Sequence, residues 1–525
     1  MTIDATVPRR DERATTKNGG QPAPPRRGWI IAAALLLAAL VLVAVIFLPP
    51  LIPGALLLGL SAVFLSRRIL FTWPALLFLL AVSIMFIPAR RYALPINIGF
   101  ALEPYRVMIF IAIICLAGAF LVNPRRRWRP VAFGWPLGIF VATLVVSFIA
   151  NGTRLVEAGL ATTSLSAFVQ LGTLVSVWFT VRQLLTSERT TITFLTLLSW
   201  CAMIVAFFAV IERVTRVNVF WRLSEFLPLM MLRDGGEATR AGVNRAYGSA
   251  QHPIALAVLL CMFIPILIYL AKYALYPRNP MNRRIVYTVG TILVFGGIVA
   301  AISRTAVVVL GVMFLLGLIF VPRVALTSLV AAVPLLVLAG AVVPAQLDSM
   351  LLSFLNVDEL VASQYTSAGM RGAGRLADLE PAMAEVAQNP FFGLGFGSRI
   401  VTGDDANSFI LDNQVLGVLM EAGALGVAGF AVFMLAPVVM LLFFALRRAA
   451  ERRHAMLAVA VAVAIAGYSA SLFFFDAFGF FQSFLMHMML LAVGGWVLTE
   501  TPRRTASTRT VEATATVAPT TAGAS

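Results

Sequence analysis

The stretch PIALAVLLCMFIPILIYLAKYAL, residues 253–275, carries one charged side chain, Lys272, close to its C-terminal end. A helix needs about 20 consecutive apolar residues to cross the hydrocarbon core of a bilayer. Helices suit that environment because their backbone groups bond to one another and need no water. The stretch therefore predicts a transmembrane helix.

Similar apolar runs recur along almost the whole chain. Of its 525 residues 60% are hydrophobic and 12% are charged, with a mean hydropathy of +0.92. A soluble protein could not bury so large a share of apolar side chains. The sequence predicts an all-α, polytopic bundle of about 12–14 membrane-spanning helices. Approximate spans are 28–48, 51–66, 69–88, 107–122, 131–150, 163–181, 190–211, 253–275, 285–302, 305–321, 324–345, 414–446, 455–474 and 479–498.

The basic residues predict the orientation of the bundle. Short cytoplasmic loops are enriched in Lys and Arg, and most of the basic residues fall in alternate loops. These are Arg67-Arg68, Arg125 to Arg129, Arg182 with Arg189, Lys272 to Arg284, Arg447 to Arg453, and Arg503-Arg504. We therefore expect both termini to be cytoplasmic, in an inner-membrane protein. The outward loops are then 89–106, 151–162, 212–252, 346–413 and 475–478.

The expected organisation follows from these spans. Residues 1–27 and 499–525 are predicted to be disordered cytoplasmic tails because their composition is polar and nearly free of large apolar residues. Residues 28–345 form a membrane bundle interrupted by the outward loop 212–252. Residues 346–413 form a long extracytoplasmic loop, and 414–498 return to the membrane. Within the long loop, Leu376, Leu379, Met383 and Val386 have the spacing of a short amphipathic helix, with Pro381 near its start.

The sequence argues against a nucleic-acid partner, against disulfides or a cysteine metal site, and against a cleavable signal peptide. The net charge of +16 is distributed as the positive-inside rule expects, so we predict no nucleic-acid partner. The three cysteines, Cys115, Cys201 and Cys261, lie inside apolar runs at unrelated spacings and predict neither disulfides nor a metal site. A cleavable signal peptide is not expected because the first apolar run is long and lacks a small-residue cleavage site.

Polar residues concentrate at the predicted outer boundary of the membrane. Arg245 lies in the segment 244–253, which leads into a span, and Ser303-Arg304 lies between two spans with almost no loop. Arg371 and Arg375 lie in the long loop, and a Gly-rich turn follows at 389–397. A planar guanidinium pairs bidentately with phosphate oxygens, so Arg245, Arg304, Arg371 and Arg375 predict a diphosphate-binding site.

Acid–base candidates lie at the same boundary. Asp412, Glu421 and His252 are the residues that could take a proton from a hydroxyl group. Structural roles stay open for each one, because Asp412 could cap a helix, Glu421 could pair with an arginine, and His252 precedes Pro253 at a helix start. The loop arginines could equally be solvated surface charges, and His487, within the last span, could be a polar contact between helices.

Four segments together resemble the family of O-antigen ligases and polysaccharide polymerases. The first is Arg245-Ala246-Tyr247-Gly248 through His252-Pro253, and the second is Ser303-Arg304. The third is Arg375 followed by the turn Asn389-Pro390-Phe391-Phe392-Gly393-Leu394-Gly395-Phe396-Gly397. The fourth is Asp412-Asn413 through Glu421-Ala422-Gly423-Ala424-Leu425-Gly426. The resemblance covers roughly residues 190–445, and the order of the segments is more specific than any one of them.

The resemblance implies an enzyme that transfers a glycan from a polyprenyl diphosphate carrier to an acceptor hydroxyl on the outer face of the cytoplasmic membrane. It implies a role in polysaccharide biosynthesis for the cell envelope, a lipid-linked oligosaccharide donor, a glycan or surface acceptor, and neither a metal nor another cofactor. Ligases commonly have a His-Asn pair where this chain has Asp412-Asn413, so the sequence favours a polymerase-type enzyme. A transporter or flippase of lipid-linked sugars and a non-catalytic envelope-assembly protein are the alternatives.

Overall fold

A computed structural model of the protein describes residues 72–96, 101–123, 126–233, 239–240, 243–342, 379–399, 413–449 and 451–500, with isolated residues between 344 and 362. The described chain is an all-helical, polytopic membrane bundle. The predicted spans 28–48 and 51–66, and the tails except for 499–500, lie outside the described residues.

Helices account for nearly all of the described secondary structure. They are α1 Trp73–Phe86, α2 Pro104–Val122, α3 Gly134–Ala150, α4 Gly152–Glu157, α5 Ala161–Leu184, α6 Glu188–Thr215, α7 Leu223–Phe226, α8 Pro253–Tyr273, α9 Pro280–Ala300, α10 Arg304–Phe320, α11 Pro322–Val342, α12 Leu379–Gln388, α13 Gln414–Arg447, α14 Arg452–Ser471 and α15 Phe481–Glu500. A 3-10 turn spans Val219–Arg222. Two antiparallel pairs of two-residue strands join β1 Tyr92–Ala93 to β2 Met230–Met231 and β3 Thr239–Arg240 to β4 Val243–Asn244.

Among the described residues, eight helices are long and apolar enough to cross a membrane, namely α2, α5, α6, α8, α9, α13, α14 and α15. The apolar helices α1, α3, α10 and α11 correspond to the other predicted spans from 69–88 onwards. The structure therefore confirms an apolar helix for each predicted span that lies within the described residues.

The innermost helices are α8, α14 and α15, which are buried over most of their length. The alanine-rich face of α14 allows α8 and α13 to approach closely, as small residues do between membrane helices.

The predicted outward loops meet at one end of the bundle. Arg91 lies over the ring of Trp221, with its guanidinium carbon 4.1 Å from the ring centroid. The Asn389 side chain reaches that of Asn151 at 3.4 Å. These contacts join loops that are distant in sequence but were assigned to the same side. We call this end the loop end.

Several of the predicted cytoplasmic loops meet at the opposite end. Arg182, at the end of α5, is fully buried there. Its guanidinium donates to the carbonyl oxygens of Pro130 at 2.9 Å and Leu185 at 3.3 Å, and to the Thr499 hydroxyl at 2.7 Å. It also pairs with the Glu500 carboxylate at 3.0 Å. A single arginine thus joins three segments of the chain at this end.

Arg182→Ala is expected to destabilise the bundle by about 3 kcal/mol, because it removes one partner of a mostly buried charge pair and leaves two carbonyl groups unpaired. This destabilisation lies at the lower end of the range for a broken buried ion pair, because the Glu500 side chain is 29% exposed and can be hydrated. Thermal unfolding of the detergent-purified protein measures the effect. Arg189→Ala, an exposed position at the start of the next helix, is the control. Equal melting temperatures for the two variants would contradict this role of Arg182.

Candidate functional site at the loop end

The Gly-rich turn 389–397 docks on a break in α13. At Gly423 the backbone leaves the helical conformation, with φ 64° and ψ −166°. The N–H of Ala424 then donates to the Pro390 carbonyl at 2.8 Å instead of to its own helix. The Leu394 N–H donates to the Met420 carbonyl at 2.8 Å, and the Gly395 N–H to that of Glu421 at 2.9 Å. The turn therefore supplies hydrogen-bond partners to the backbone N–H and carbonyl groups of α13 that the break leaves without helical partners.

Two glycines make this approach possible. A Cβ at Gly393 would lie 2.5–2.6 Å from backbone atoms of Glu421, Ala422 and Gly423. A Cβ at Gly423 would overlap the Phe391 carbonyl, and the backbone conformation of Gly423 is one that only glycine adopts readily. Replacing either residue would force two backbone segments apart.

The turn also holds the neighbouring helices. The Ser164 hydroxyl of α5 donates to the Phe396 carbonyl. The Ser147 hydroxyl of α3 donates to the Glu421 carbonyl at 2.8 Å. The turn and the α13 break therefore fix the relative positions of α3, α5 and α13 at the loop end.

Arg399, just after the turn, pairs with two carboxylates. Its Nη2 lies 3.1 Å from Asp476 Oδ2, and its Nε lies 3.9 Å from Glu421 Oε1. The three side chains are 9%, 12% and 13% exposed, in the order Arg399, Asp476, Glu421. The predicted alternative that Glu421 pairs with an arginine is confirmed. The partner is Arg399, which is not among the predicted site residues.

A small cleft lies between this ion pair and α4. It has a volume of about 70 Å³ and is lined by Arg154, Leu155, Ala158, Leu160, Glu385, Leu394, Ser398, Arg399, Met420 and Glu421. Glu385 comes from α12, which packs on α13 through Ala382, Val386 and Met420. Burial raises the pKa of the Glu385 carboxyl above its ordinary value, and the positive charge of Arg154 opposes this rise. The cleft thus gathers two guanidinium groups and two carboxyl groups.

The predicted amphipathic helix is present as α12, with Pro381 as its third residue. Its buried face differs in part from the prediction. Val386 is buried as expected, but Leu379 and Met383 are 43% and 46% exposed, and Ala382 takes the second buried position. The short side chain of Ala382 allows the helix to lie close to α13.

A second cluster forms where Arg245 meets the junction between α9 and α10. The Arg245 Nε donates to the Ala301 carbonyl at 3.0 Å, and the Ala246 N–H donates to the Ala300 carbonyl at 3.0 Å. Ser303 is the N-cap residue of α10, and Arg304 is the first residue of that helix. The two sequence segments that carry Arg245 and Arg304 are therefore brought together.

Neighbouring groups set the shape and charge of this second cluster. The Glu212 carboxylate accepts hydrogen bonds from the Tyr247 N–H at 3.0 Å and the Gly248 N–H at 2.8 Å, which fixes the loop beside Arg245. Trp221, covered by the Arg91 guanidinium, contacts the Tyr247 ring with a centroid separation of 5.0 Å. The cluster combines guanidinium groups with two partly buried aromatic rings, Trp221 and Tyr247.

His252 caps α8. Its Nδ1 accepts a hydrogen bond from the Ile254 N–H at 3.2 Å, and its ring stacks on Phe480 at a centroid distance of 5.3 Å. The structural role left open for this residue is therefore present. Phe480 belongs to the loop that also carries Asp476, so the segment between α14 and α15 connects the two clusters.

Three predicted site residues, Arg371, Arg375 and Asp412, lie outside the described residues. The N-cap of α13 is Asn413, whose side chain accepts from the Leu416 N–H at 3.0 Å, so the alternative that Asp412 caps this helix is wrong. Within the described part of the chain, no group of three or more His, Cys, Asp or Glu side chains could hold a metal ion.

His487 lies apart from both clusters, fully buried in α15. Its ring stacks on that of Tyr468 with a centroid distance of 4.7 Å. Neither ring nitrogen has a hydrogen-bond partner among the described residues, so the expected polar contact between helices is replaced by an aromatic one.

Gly423→Ala is expected to destabilise the protein by about 1–3 kcal/mol, since alanine is strained at this backbone conformation and its methyl group meets the docked turn. Thermal unfolding measures the effect. Gly311→Ala within α10, where an added Cβ has open space around it, is the matched control and should not lower the melting temperature. An equal loss of stability in both variants would show that the turn 389–397 does not dock closely on α13 at Gly423.

Part of the chain is similar to a known protein family. Residues 289–431 match the family model described as O-Antigen ligase. The matched region, a little over a quarter of the chain, includes the α9–α10 junction, Arg399 and the α13 break, while Arg245 and Asp476 lie outside it. The comparison with curated protein sequences gives no match. The matched family comprises glycosyltransferase-like ligases and polymerases. Residues 289–431 of the chain are therefore similar to the O-antigen ligase family.

Proposed function

We propose that the protein transfers or polymerises a polyprenyl-diphosphate-linked glycan onto an acceptor hydroxyl, with its active site at the loop end facing outward from the inner membrane. The observation that carries this proposal is the hydrogen bond from Arg245 to the Ala301 carbonyl at the end of α9, three residues before Arg304 begins α10. Two guanidinium groups and the positive end of a helix dipole favour a bound anion.

The buried hydroxyl of Ser303 supports the assignment of this cluster as the diphosphate site. It lies at the same helix N-terminus and has no hydrogen-bond partner among the described residues. A phosphate oxygen would accept a hydrogen bond from this hydroxyl and remove the free-energy penalty of a buried unpaired donor. Arg371 and Arg375 remain further candidates for the same ligand.

The reaction has a simple balance of bonds. The acceptor hydroxyl oxygen attacks the anomeric carbon of the donor, a new glycosidic bond forms, and the bond from that carbon to the diphosphate oxygen breaks. The polyprenyl diphosphate leaves with the electron pair, and Arg245 and Arg304 stabilise the negative charge that develops on it.

Glu421 is the base favoured by the described geometry, because its carboxylate lines the cleft and is held by Arg399. His252 suits this role less well. Its Nδ1 already accepts the Ile254 N–H, so the neutral ring carries its proton on Nε2 and cannot accept another there. Asp412 is the alternative base, and its presence in place of the histidine common in ligases favours the polymerase-type reaction.

Arg304→Ala and Arg245→Ala should each reduce transfer by about 10- to 100-fold, the loss expected when a charge-assisted hydrogen bond to the leaving group is removed. Vesicles containing the purified protein and a lipid-linked glycan donor provide the assay. In cells, long or attached surface glycan should fall while precursor accumulates on the outer face of the membrane.

Arg222→Ala is the matched control, because Arg222 lies in the same predicted outward loop as Arg245 and its side chain is 60% exposed. It should retain full activity. Precursor accumulating on the inner face in the Arg304 variant would instead support a flippase. Parental activity in both the Arg245 and Arg304 variants would exclude the proposed diphosphate site.

Glu421→Gln should lower kcat by about 10²- to 10⁴-fold, as the removal of a general base does, while donor binding is retained. Asp412→Asn is the comparison, since it makes the same change of charge at the alternative base. If Asp412→Asn alone abolishes turnover, Glu421 is not the base and acts only through its pairing with Arg399.

A further inference from the structure

Arg399 lines the cleft, and two of its nitrogen atoms make no hydrogen bond to any described residue. Its side chain is 9% exposed, and its Nε and Nη1 have no hydrogen-bond partner among the described residues. Buried polar groups in folded proteins are nearly always paired, so these nitrogens are available to donate to a ligand bound in the cleft. The cleft it lines is the one shared with Arg154, Glu385 and Glu421.

The charge of the cleft distinguishes it from the Arg245–Arg304 cluster. Its lining contains two guanidinium groups and two carboxyl groups, and Asp476 already neutralises part of the Arg399 charge. There is no surplus of positive charge to offset the desolvation of an anion. Paired donors and acceptors instead suit hydroxyl groups, each of which donates one hydrogen bond and accepts others.

The size of the cleft limits what it can hold. About 70 Å³ is room for a few water-sized groups and lies far below the roughly 300–1,000 Å³ of pockets that enclose a drug-sized ligand. Arg154 and Ala158 are exposed, so the cleft opens to the protein surface beside them. A larger molecule could insert one edge into the cleft while the rest of it stays outside. The occupant is therefore a part of a molecule that bears a few closely spaced hydroxyl groups.

We propose that the Arg154–Arg399–Glu385–Glu421 cleft is the acceptor subsite, which binds the hydroxyl-bearing edge of a neutral sugar. This proposal rests on the proposed transferase function. Arg399 and Arg154 donate to hydroxyl oxygens of the acceptor, Glu385 accepts from a neighbouring hydroxyl, and Glu421 takes the proton of the attacking hydroxyl. The donor diphosphate is bound separately by Arg245 and Arg304.

Two purified variants, Arg399→Gln and Arg154→Gln, test the subsite by binding. The probes are a methyl hexoside and inorganic phosphate, followed by ligand-observed NMR with the full-length protein in nanodiscs. Both variants should bind the hexoside about tenfold or more weakly, the loss expected for a charged hydrogen-bonding partner, and should bind phosphate as the parent does. Arg304→Ala should show the reverse pattern.

Arg154→Gln keeps the test decisive if Arg399→Gln fails to fold, because Arg154 is exposed and forms no ion pair with another described residue. Arg222→Gln is the control for loss of an exposed arginine. If phosphate binding falls in Arg154→Gln and Arg399→Gln while hexoside binding is unchanged, the cleft is an anion site and the proposal is wrong. Unchanged binding of both probes would likewise overturn it.

Steady-state kinetics separate this proposal from the proposed function. Arg154→Gln should raise the KM for the acceptor and leave the KM for the lipid-linked donor unchanged. If the parental protein binds the hexoside in this cleft but catalyses no transfer from a lipid diphosphate donor, the proposed function fails and the sugar subsite stands. If transfer occurs and the acceptor KM is unchanged in the variant, the subsite fails and the function stands.

Discussion

The loop end depends on the exchange of backbone hydrogen bonds between the turn 389–397 and the broken helix α13. At Gly423 the helix stops pairing with itself, and the turn supplies the partners that it loses. In a membrane protein, a break of this kind is tolerated only where other protein groups satisfy the freed carbonyl and N–H groups. The same contact places Glu421 and Arg399 side by side, so a local backbone constraint determines the position of two candidate functional side chains.

The two clusters at the loop end differ in the chemistry that they offer. The Arg245–Arg304 cluster brings positive charge to a helix N-terminus, whereas the Arg399 cleft balances guanidinium groups against carboxylates. A glycan transferase needs both kinds of site, one for a diphosphate leaving group and one for a hydroxyl nucleophile. The segment between α14 and α15 connects them, because Asp476 pairs with Arg399 and Phe480 packs on His252.

Much of the architecture could be predicted from the sequence, because bilayer thickness sets the length of an apolar run and basic residues mark alternate loops. The apolar helices of the described region and the grouping of the loops followed from these two rules. The break at Gly423 could not be predicted in this way, because 414–446 is long and mostly apolar on both sides of Gly423, with Glu421 as its one charged residue. A glycine in such a run can be helical or left-handed, and only the docked turn decides between them.

The ion pairs of Arg399 were missed for a related reason. Arg399 and Asp476 are 77 positions apart, and neither forms a motif by composition alone. Two weak signals were available, since Arg399 follows the Gly-rich turn by two residues and Asp476 is the acidic residue in an otherwise apolar segment between two spans. By contrast, Arg245 and Arg304 could be chosen because one lies in the segment that leads into a predicted span and the other lies at a junction between two spans.

A cryo-electron microscopy structure of the protein with its lipid-linked glycan donor would test the proposed diphosphate site. We expect the two phosphates to lie within hydrogen-bonding distance of the Arg245 and Arg304 guanidinium groups, beside the start of α10. Phosphates bound at the opposite end, near Arg182, or bound at the loop end without contact to either arginine, would contradict it.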